Sequence, residues 1–324
     1  MIPQASIIVK NLTKYYPINA GVLFSKVVGQ VKAVDNISFS IPKGGTFGLV
    51  GESGSGKSTT ANMILGLETP TSGEIRFDGE DVHQLKGKDL YKFRRNVQAV
   101  FQDPFRSLNP RKKVSQIISE PMIVQKIGTR AERMKRVTEL MNLVGLSPER
   151  ADQYPHEFSG GQRQRIAIAR ALSLNPQTIV LDEPVSALDV SIQAQILNLL
   201  IEIQNQLNLT YLIISHDLAV VEHVSSHVGV MYLGKLVEFA PQEQLYGHPS
   251  HPYTQALIAS VPVADPEILR DPVLEGEIPS PLNPPPGCTF NPRCPKCEAV
   301  CTKLAPESRE ISPGHWVSCH LIDT

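Results

Sequence analysis

The chain has 324 residues, 31 Lys and Arg against 32 Asp and Glu for a formal net charge of −1, and 41% hydrophobic residues. That composition supports a sizeable buried core, excludes general disorder, and gives no bulk electrostatic footprint for a nucleic-acid partner. No apolar run reaches the roughly 18–20 residues that cross a bilayer, and the opening MIPQASIIVK lacks the basic, apolar and cleavable parts of a secretory signal, so a cytoplasmic protein is expected, any membrane role coming through a partner.

Residues 1–50 read as β-rich, with short strand-like runs at 7–9 and 37–39 and a Gly44-Gly45 break before another run at 46–50. A loop then leads into a helix over 57–67, and strand-like runs follow at 74–77 and 97–101. Between 114 and 146 the residues Val114, Ile117, Ile118, Met134, Val137, Leu140, Met141 and Val144 recur at helical spacing and predict a helical insertion. Helix is expected from 160 to about 172, a strand over 178–182, an amphipathic helix over 192–207, and strands at 211–215, 228–232 and 236–239. Strands alternating with helices imply an α/β fold with a mainly parallel sheet covered on both faces.

Composition shifts after Ser260: twelve of the 26 prolines lie between Pro262 and Pro313, which breaks regular structure. Residues 261–287 read as a Pro-rich linker and 288–324 as a small module holding all five cysteines. Clustered cysteines in a cytosolic chain point to metal more than to disulfides.

The run Gly51-Glu52-Ser53-Gly54-Ser55-Gly56-Lys57-Ser58, with Thr59 behind it, fits G-x-x-x-x-G-K-[ST] between a strand and a helix. Its glycines let backbone N–H groups curl around phosphate oxygens, and the helix N-terminus adds partial positive charge. Lys57 suits the β/γ-phosphates of ATP, and the Ser58 hydroxyl suits Mg²⁺. The apolar strand 179–181 ends in Asp182 and Glu183: Asp182 is placed to organise Mg²⁺ through water, and Glu183 to act as general base on the attacking water. His216 follows another apolar strand at its carboxyl end, where ligands of open α/β sheets collect; it can donate to the γ-phosphate or hold the water. Gln102, just after 97–101, can reach Mg²⁺ or water through its amide oxygen.

With these residues in this order, the chain resembles an ATP-binding subunit of the ABC transporters over residues 1–260. The resemblance rests on the phosphate loop 51–58, Gln102 as Q-loop, Phe158-Ser159-Gly160-Gly161-Gln162 as signature, Asp182-Glu183, the D-loop Ser186-Ala187-Leu188-Asp189, and His216 as switch histidine. Phe158 stands where the signature commonly has leucine. The resemblance implies a P-loop cassette with a mainly parallel core, an N-terminal antiparallel β subdomain and a helical subdomain at about 103–172. It also implies two cassettes meeting head to tail, so that Ser159, Gly160, Gly161 and Gln162 cap the γ-phosphate held by the partner. Tyr16, from its spacing in Leu12-x-x-x-Tyr16, matches the aromatic that stacks on adenine, with Tyr15 as the alternative.

Phe101-Gln-Asp-Pro-Phe-Arg-Ser-Leu-Asn-Pro110, Val185-Ser-Ala-Leu-Asp-Val-Ser and His251-Pro-Tyr-Thr254 narrow the resemblance to the oligopeptide/dipeptide importers. The segment 17–34 and Lys32-Ala-Val-Asp35 lean toward the second of the two paralogous cassettes these importers use. That implies a heterodimer with another cassette, two permease subunits, an extracytoplasmic binding protein, and a place on the cytoplasmic face of the cell membrane. Within the same family, nickel and oligosaccharides are alternative cargoes; a soluble, non-transport ABC ATPase is the alternative from a different class. In the peptide-importer subgroup the cysteines matching 288, 294, 301 and 319 resemble the ligands of a 4Fe-4S cluster. Cys297 is additional, and Cys294-x₂-Cys297 with His320 nearby keeps Zn²⁺ as the competitor, with unligated thiols as the third possibility.

Overall fold

The computed structural model describes residues 5–20, 26–103, 107–261 and 276–322. Most of the expected linker 261–287, together with 104–106 of the motif at 101–110 and 21–25 of the segment 17–34, lies outside the described residues. The chain divides into two units, one of Ile7–Ser40, Phe47–Arg76 and Ser215–Thr324, the other of Met1–Ser6, Ile41–Thr46 and Phe77–Ile214.

The first unit opens with β1 (Ala5–Ala20), β2 (Lys26–Pro42), β3 (Thr46–Val50), α1 (Lys57–Ile64) and β4 (Ser72–Phe77), and β1 lies between β2 and β4. β1 and β2 run far beyond the short runs expected at 7–9 and 37–39. Asn11 and Asn36, inside them, take left-handed backbone with φ of 48° and 57°, and such kinks throw the period-two pattern out of step. β3 is buried at every position, as befits a strand covered on both faces. α1 stops at Ile64, earlier than expected, because Gly66 turns left-handed at φ 65°.

The second unit holds β5 (Glu80–Asp81), α2 (Gly87–Asn96), β6 (Val97–Val100), α3 (Val114–Val124), α4 (Arg130–Leu143), α5 (Gly160–Leu172), β7 (Thr178–Asp182), α6 (Val190–Leu207) and β8 (Thr210–Ser215). β7 runs parallel to both neighbours, Val97↔Thr178 on one side and Thr178↔Thr210 on the other. The carboxyl ends of β6, β7 and β8 therefore share one edge. The helical insertion forms as expected: α3 buries Val114, Ile117, Ile118 and Met122, and α4 buries Val137, Leu140 and Met141. Helix α2 has no counterpart among the expected elements, because half of its residues are charged and it buries Phe93 alone, whose ring meets Phe77 edge-on at 5.6 Å.

The chain then returns to the first unit with α7 (Leu218–Val224), β9 (His227–Tyr232), β10 (Lys235–Pro241), α8 (Gln242–Gly247), α9 (Pro252–Ala259), β11 (Arg309–Ser312) and β12 (His315–Val317). Strand order there is β11-β12-β10-β9-β3. β3 and β9 are parallel, and β10 is antiparallel to both β9 and β12, with Glu238 opposite Val317 and Phe239 opposite Trp316. The cysteine segment expected as an appended module is thus tied by its own hairpin into the sheet that carries β3. Glu238, 1% exposed, secures the junction: it accepts hydrogen bonds from His315 Nε2 at 2.7 Å, the Ser250 N–H at 2.8 Å and the His251 N–H at 2.9 Å. A buried carboxylate needs such partners.

Candidate nucleotide-binding site

β3 delivers the loop 51–58. Gly51 and Gly56 have φ of 147° and 105°, and a Cβ at either would lie 2.2 Å from a backbone oxygen, that of Met231 or of Ala33. Only glycine satisfies both the backbone conformation and the close approach. Gly54, at φ 78°, faces open space instead. The buried Lys57 ammonium donates to Gly51 O at 2.7 Å, Glu52 O at 2.8 Å and Ser55 Oγ at 3.3 Å. The loop thus curls around its own lysine, and no side chain caps α1. A helix N-terminus in that state, with a cation beside it, is suited to an anion.

Tyr15 and Tyr16 separate clearly. The Tyr15 hydroxyl donates to Asp35 Oδ1 at 2.6 Å, whereas the Tyr16 hydroxyl has Glu68 and Thr59 as hydrogen-bonding neighbours. Burial, reinforced by Glu68, pushes the Tyr16 phenol up to about 12. Tyr16, the expected adenine partner, therefore stands beside the start of α1.

In the second unit, Asp182 is the half-buried last residue of β7, paired with Ile214. Glu183 follows in left-handed backbone at φ 46°, a conformation costing a non-glycine residue about 1–3 kcal/mol. It is held by its N–H to Ile214 O at 2.9 Å, by Ser186 Oγ donating to its carbonyl at 3.3 Å, and by Gln102 Nε2 donating to its carboxylate at 2.5 Å. The Q-loop glutamine and the expected base are thus direct partners. Gln102 and Asp182 here, and Ser58 in the first unit, each carry a hard oxygen donor of the kind Mg²⁺ takes.

The signature opens α5. Ser159 is its N-cap: Ser159 Oγ accepts the Gln162 N–H at 3.4 Å, and Gln162 Oε1 accepts the Ser159 N–H at 3.1 Å, a reciprocal capping box. Phe158 is buried under the Arg150 guanidinium, 4.1 Å from its ring centroid, which gives an aromatic at that position a favourable partner. A Cβ on Gly161 would sit 2.5 Å from Ile192 Cγ2, and one on Gly160 would sit 3.3 Å from Leu188 Cδ2. Gly161 is therefore also constrained by packing against α6, while Gly160 sits in tight contact with Leu188 of the D-loop. His216 is exposed and directly follows β8; the next residue, Asp217, caps α7 by accepting the Ala219 N–H at 2.9 Å.

The expected metal ligands do not close into a site. All five cysteines are free thiols, and among the described residues no group of three or more Cys, His, Asp or Glu could hold a metal ion. Burial pushes the Cys288 thiol up to about 11, with further upward pressure from Cys319, Cys301 and Cys294. Burial also raises the Cys294 and Cys319 thiols, which favours the protonated form over the thiolate that metals bind. Cys288, Cys294, Cys301 and Cys319 are electrostatic neighbours, and Cys297, exposed at the surface, is likewise a neighbour of Cys294 and Cys301.

Three side chains absent from the expected set shape the loop or the signature: Arg150, Tyr253 and Arg293. The Tyr253 hydroxyl accepts the Glu52 N–H at 2.9 Å, and Arg293 donates to both Glu52 carboxylate oxygens at 2.7 and 3.1 Å. Tyr253 belongs to the His251-Pro-Tyr-Thr254 motif, which marks it in the sequence; Arg293 carries no such signal.

The phosphate loop, the strand-end acids and the Ser-Gly-Gly-Gln tetrapeptide, in that order along the chain, mark a nucleotide-hydrolysing cassette. The ABC transporter family model matches residues 34–186, and the model for the oligopeptide/dipeptide transporter C-terminal region matches 237–301. The oligopeptide transport ATP-binding protein AppF of Bacillus subtilis is 55% identical over 316 residues, covering 96% of each chain. A putative peptide import ATP-binding protein of Brucella ovis is 50% identical over 312 residues, again 96% of each. Among solved structures, the cassette MJ0796 bound to ADP and phosphate as a dimer is 31% identical with a TM-score of 0.64, over 73% of this chain and 98% of that one. The cbiO1 protein of Clostridium perfringens, part of the cbiONQ transporter complex, is 28% identical with a TM-score of 0.64, over 75% of this chain and 91% of that one. The chain belongs to the ATP-binding subunits of the ABC transporters, in their oligopeptide/dipeptide branch.

Proposed function

We propose that this chain binds and hydrolyses ATP to power the import of oligopeptides or dipeptides, working beside a second, paralogous cassette, two permease subunits and an extracytoplasmic binding protein at the cytoplasmic face of the cell membrane. The observation that carries the reading is the pairing, on one chain, of the ABC transporter match with the oligopeptide/dipeptide transporter match at 237–301. No helix among the described residues is long and apolar enough to cross a membrane, so the translocation path falls to partners. In domain terms, residues 1–260 form the cassette, with its helical subdomain at about 103–172.

The roles follow the chemistry of the side chains. Lys57 neutralises the β/γ-phosphates, backbone N–H groups of the loop hold their oxygens, and Tyr16 stacks on adenine. Mg²⁺, when bound through the oxygens of Ser58, Gln102 and Asp182, offsets phosphate charge. Glu183 takes the proton of the attacking water, Gln102 orients that carboxylate, and His216 donates to the γ-phosphate. Ser159, Gly160, Gly161 and Gln162 present a capped helix N-terminus to nucleotide on the partner cassette.

For the cysteines, a 4Fe-4S cluster on Cys288, Cys294, Cys301 and Cys319 is favoured over Zn²⁺. What favours it is the resemblance of these four positions to the ligand set of the peptide-importer subgroup; the described residues by themselves form no group able to hold a metal ion.

Affinity purification of the full chain from its own membranes tests the assignment. Recovery of a second cassette and two membrane proteins is expected, with ATP turnover stimulated by a peptide-loaded binding protein. Recovery of the chain as a self-contained soluble ATPase, with no membrane protein attached, sinks it.

A further inference from the structure

All three polar groups of Glu52 are occupied, and two of its partners come from far along the chain. Its carbonyl accepts Lys57 at 2.8 Å, its N–H donates to Tyr253, and its carboxylate receives the two-pronged contact from Arg293, 241 residues away. The Arg293 side chain is only 4% exposed, against 23% for Glu52. Its position is fixed from behind. Phe290, fully buried, packs against Tyr232 and Tyr253 at 5.2 and 5.3 Å between ring centroids. Asn291 Nδ2 donates to Pro286 O at 2.7 Å and Cys288 O at 2.8 Å. The pair is therefore a strong, forked and shielded contact of the kind arginine makes better than lysine.

Glu52 is an awkward residue to carry in a phosphate loop. It places a negative charge one residue from Gly51, in the stretch that must receive a polyanion, and like charges oppose binding. We propose that Arg293 is a positioning residue for nucleotide binding: it neutralises and draws aside the Glu52 carboxylate, so that the C-terminal segment sets the phosphate loop's affinity for ATP. This rests on the reading of 51–58 as the ATP-binding loop. It assigns to the cysteine-bearing segment a part in the nucleotide site that does not depend on what the cysteines hold.

The test is equilibrium binding of ATP to the purified full chain, by displacement of a fluorescent ATP analogue, with thermal midpoints measured alongside. Arg293→Ala is expected to weaken ATP binding on the order of tenfold, the range of a shielded, charge-assisted contact. Arg293→Lys, which keeps the charge but loses the fork, is expected to recover part of that loss. In a Glu52→Gln background the same Arg293→Ala change is expected to cost less than about twofold, because the charge it neutralises is gone. A merely structural arginine would give the same loss in both backgrounds and no graded recovery with lysine. Either result overturns the proposal, as does an Arg293→Ala protein that binds ATP as wild type does. If Arg293→Ala fails to fold, the Arg293→Lys comparison across the two Glu52 backgrounds carries the same test. Wild-type protein that binds no ATP, or Lys57→Ala protein that binds it undiminished, would instead refute the loop assignment itself.

Discussion

His251 gives the structure a built-in acid sensitivity. The ring is 1% exposed, and its Nδ1 accepts the Tyr253 N–H at 3.0 Å as the cap of α9. A protonated Nδ1 cannot accept, so the native state requires the neutral ring. Burial is the main cause holding the imidazole down to about 4 from an ordinary 6.5, with Glu238 pulling the other way. Between pH 6.5 and 4 the unfolded chain therefore binds a proton that the native chain refuses. Stability from this residue is complete above pH 6.5, declines as pH falls through that window, and is lost below about 4. The full span is worth about 3 kcal/mol, and about 2 kcal/mol has gone by pH 5. Urea unfolding of wild type and His251→Asn at pH 7.5 and pH 5 measures it. Asn is a good helix cap that does not titrate, so wild type should lose about 2 kcal/mol more than the variant between the two conditions. Equal losses in the two proteins would show that the ring is not held neutral by its burial.

Other expectations concern the site directly. Glu183→Gln should retain ATP affinity while turnover falls by about 10²–10⁴, the scale of general-base catalysis, and should trap a nucleotide-bound dimer on gel filtration; near-normal phosphate release would remove Glu183 from its role. Gly161→Ala should destabilise the second unit by about 1–3 kcal/mol in urea, since the added methyl must displace Ile192. Ser159→Ala should cost about 1 kcal/mol of stability through loss of the α5 cap, with a larger proportional loss of turnover in the assembled transporter than in nucleotide binding by the isolated chain. Anaerobically purified protein should be brown and carry about four iron atoms and acid-labile sulfide; a colourless preparation with zinc reverses the cluster assignment.

What the sequence discloses here follows from how local each constraint is. The phosphate loop, the strand-end acids and the signature are short stretches whose glycines and charges have few structural uses, so their spacing announces them. The glycine at 161 is legible as a motif, but its contact with Ile192 is not. β1 and β2 escape recognition beyond their apolar cores because Asn11 and Asn36 break the alternation. α2 escapes because one buried phenylalanine makes no period. The strands β11 and β12 are four and three residues long, below what alternation can reveal. The Arg293–Glu52 pair is the hardest case: two charged residues 241 positions apart, neither unusual in its own neighbourhood.

That separation has a consequence for synthesis. At about 5–20 residues per second, about 12–50 s pass between the emergence of Glu52 from the ribosome and that of Arg293. Throughout that interval the phosphate loop carries an acid whose arginine partner has not yet emerged, and β10, once made, keeps an open edge of the kind that recruits other chains until β12 follows. A chain stopped between β10 and residue 293 would thus hold the phosphate loop without the arginine partner of Glu52 and with the β10 edge uncovered.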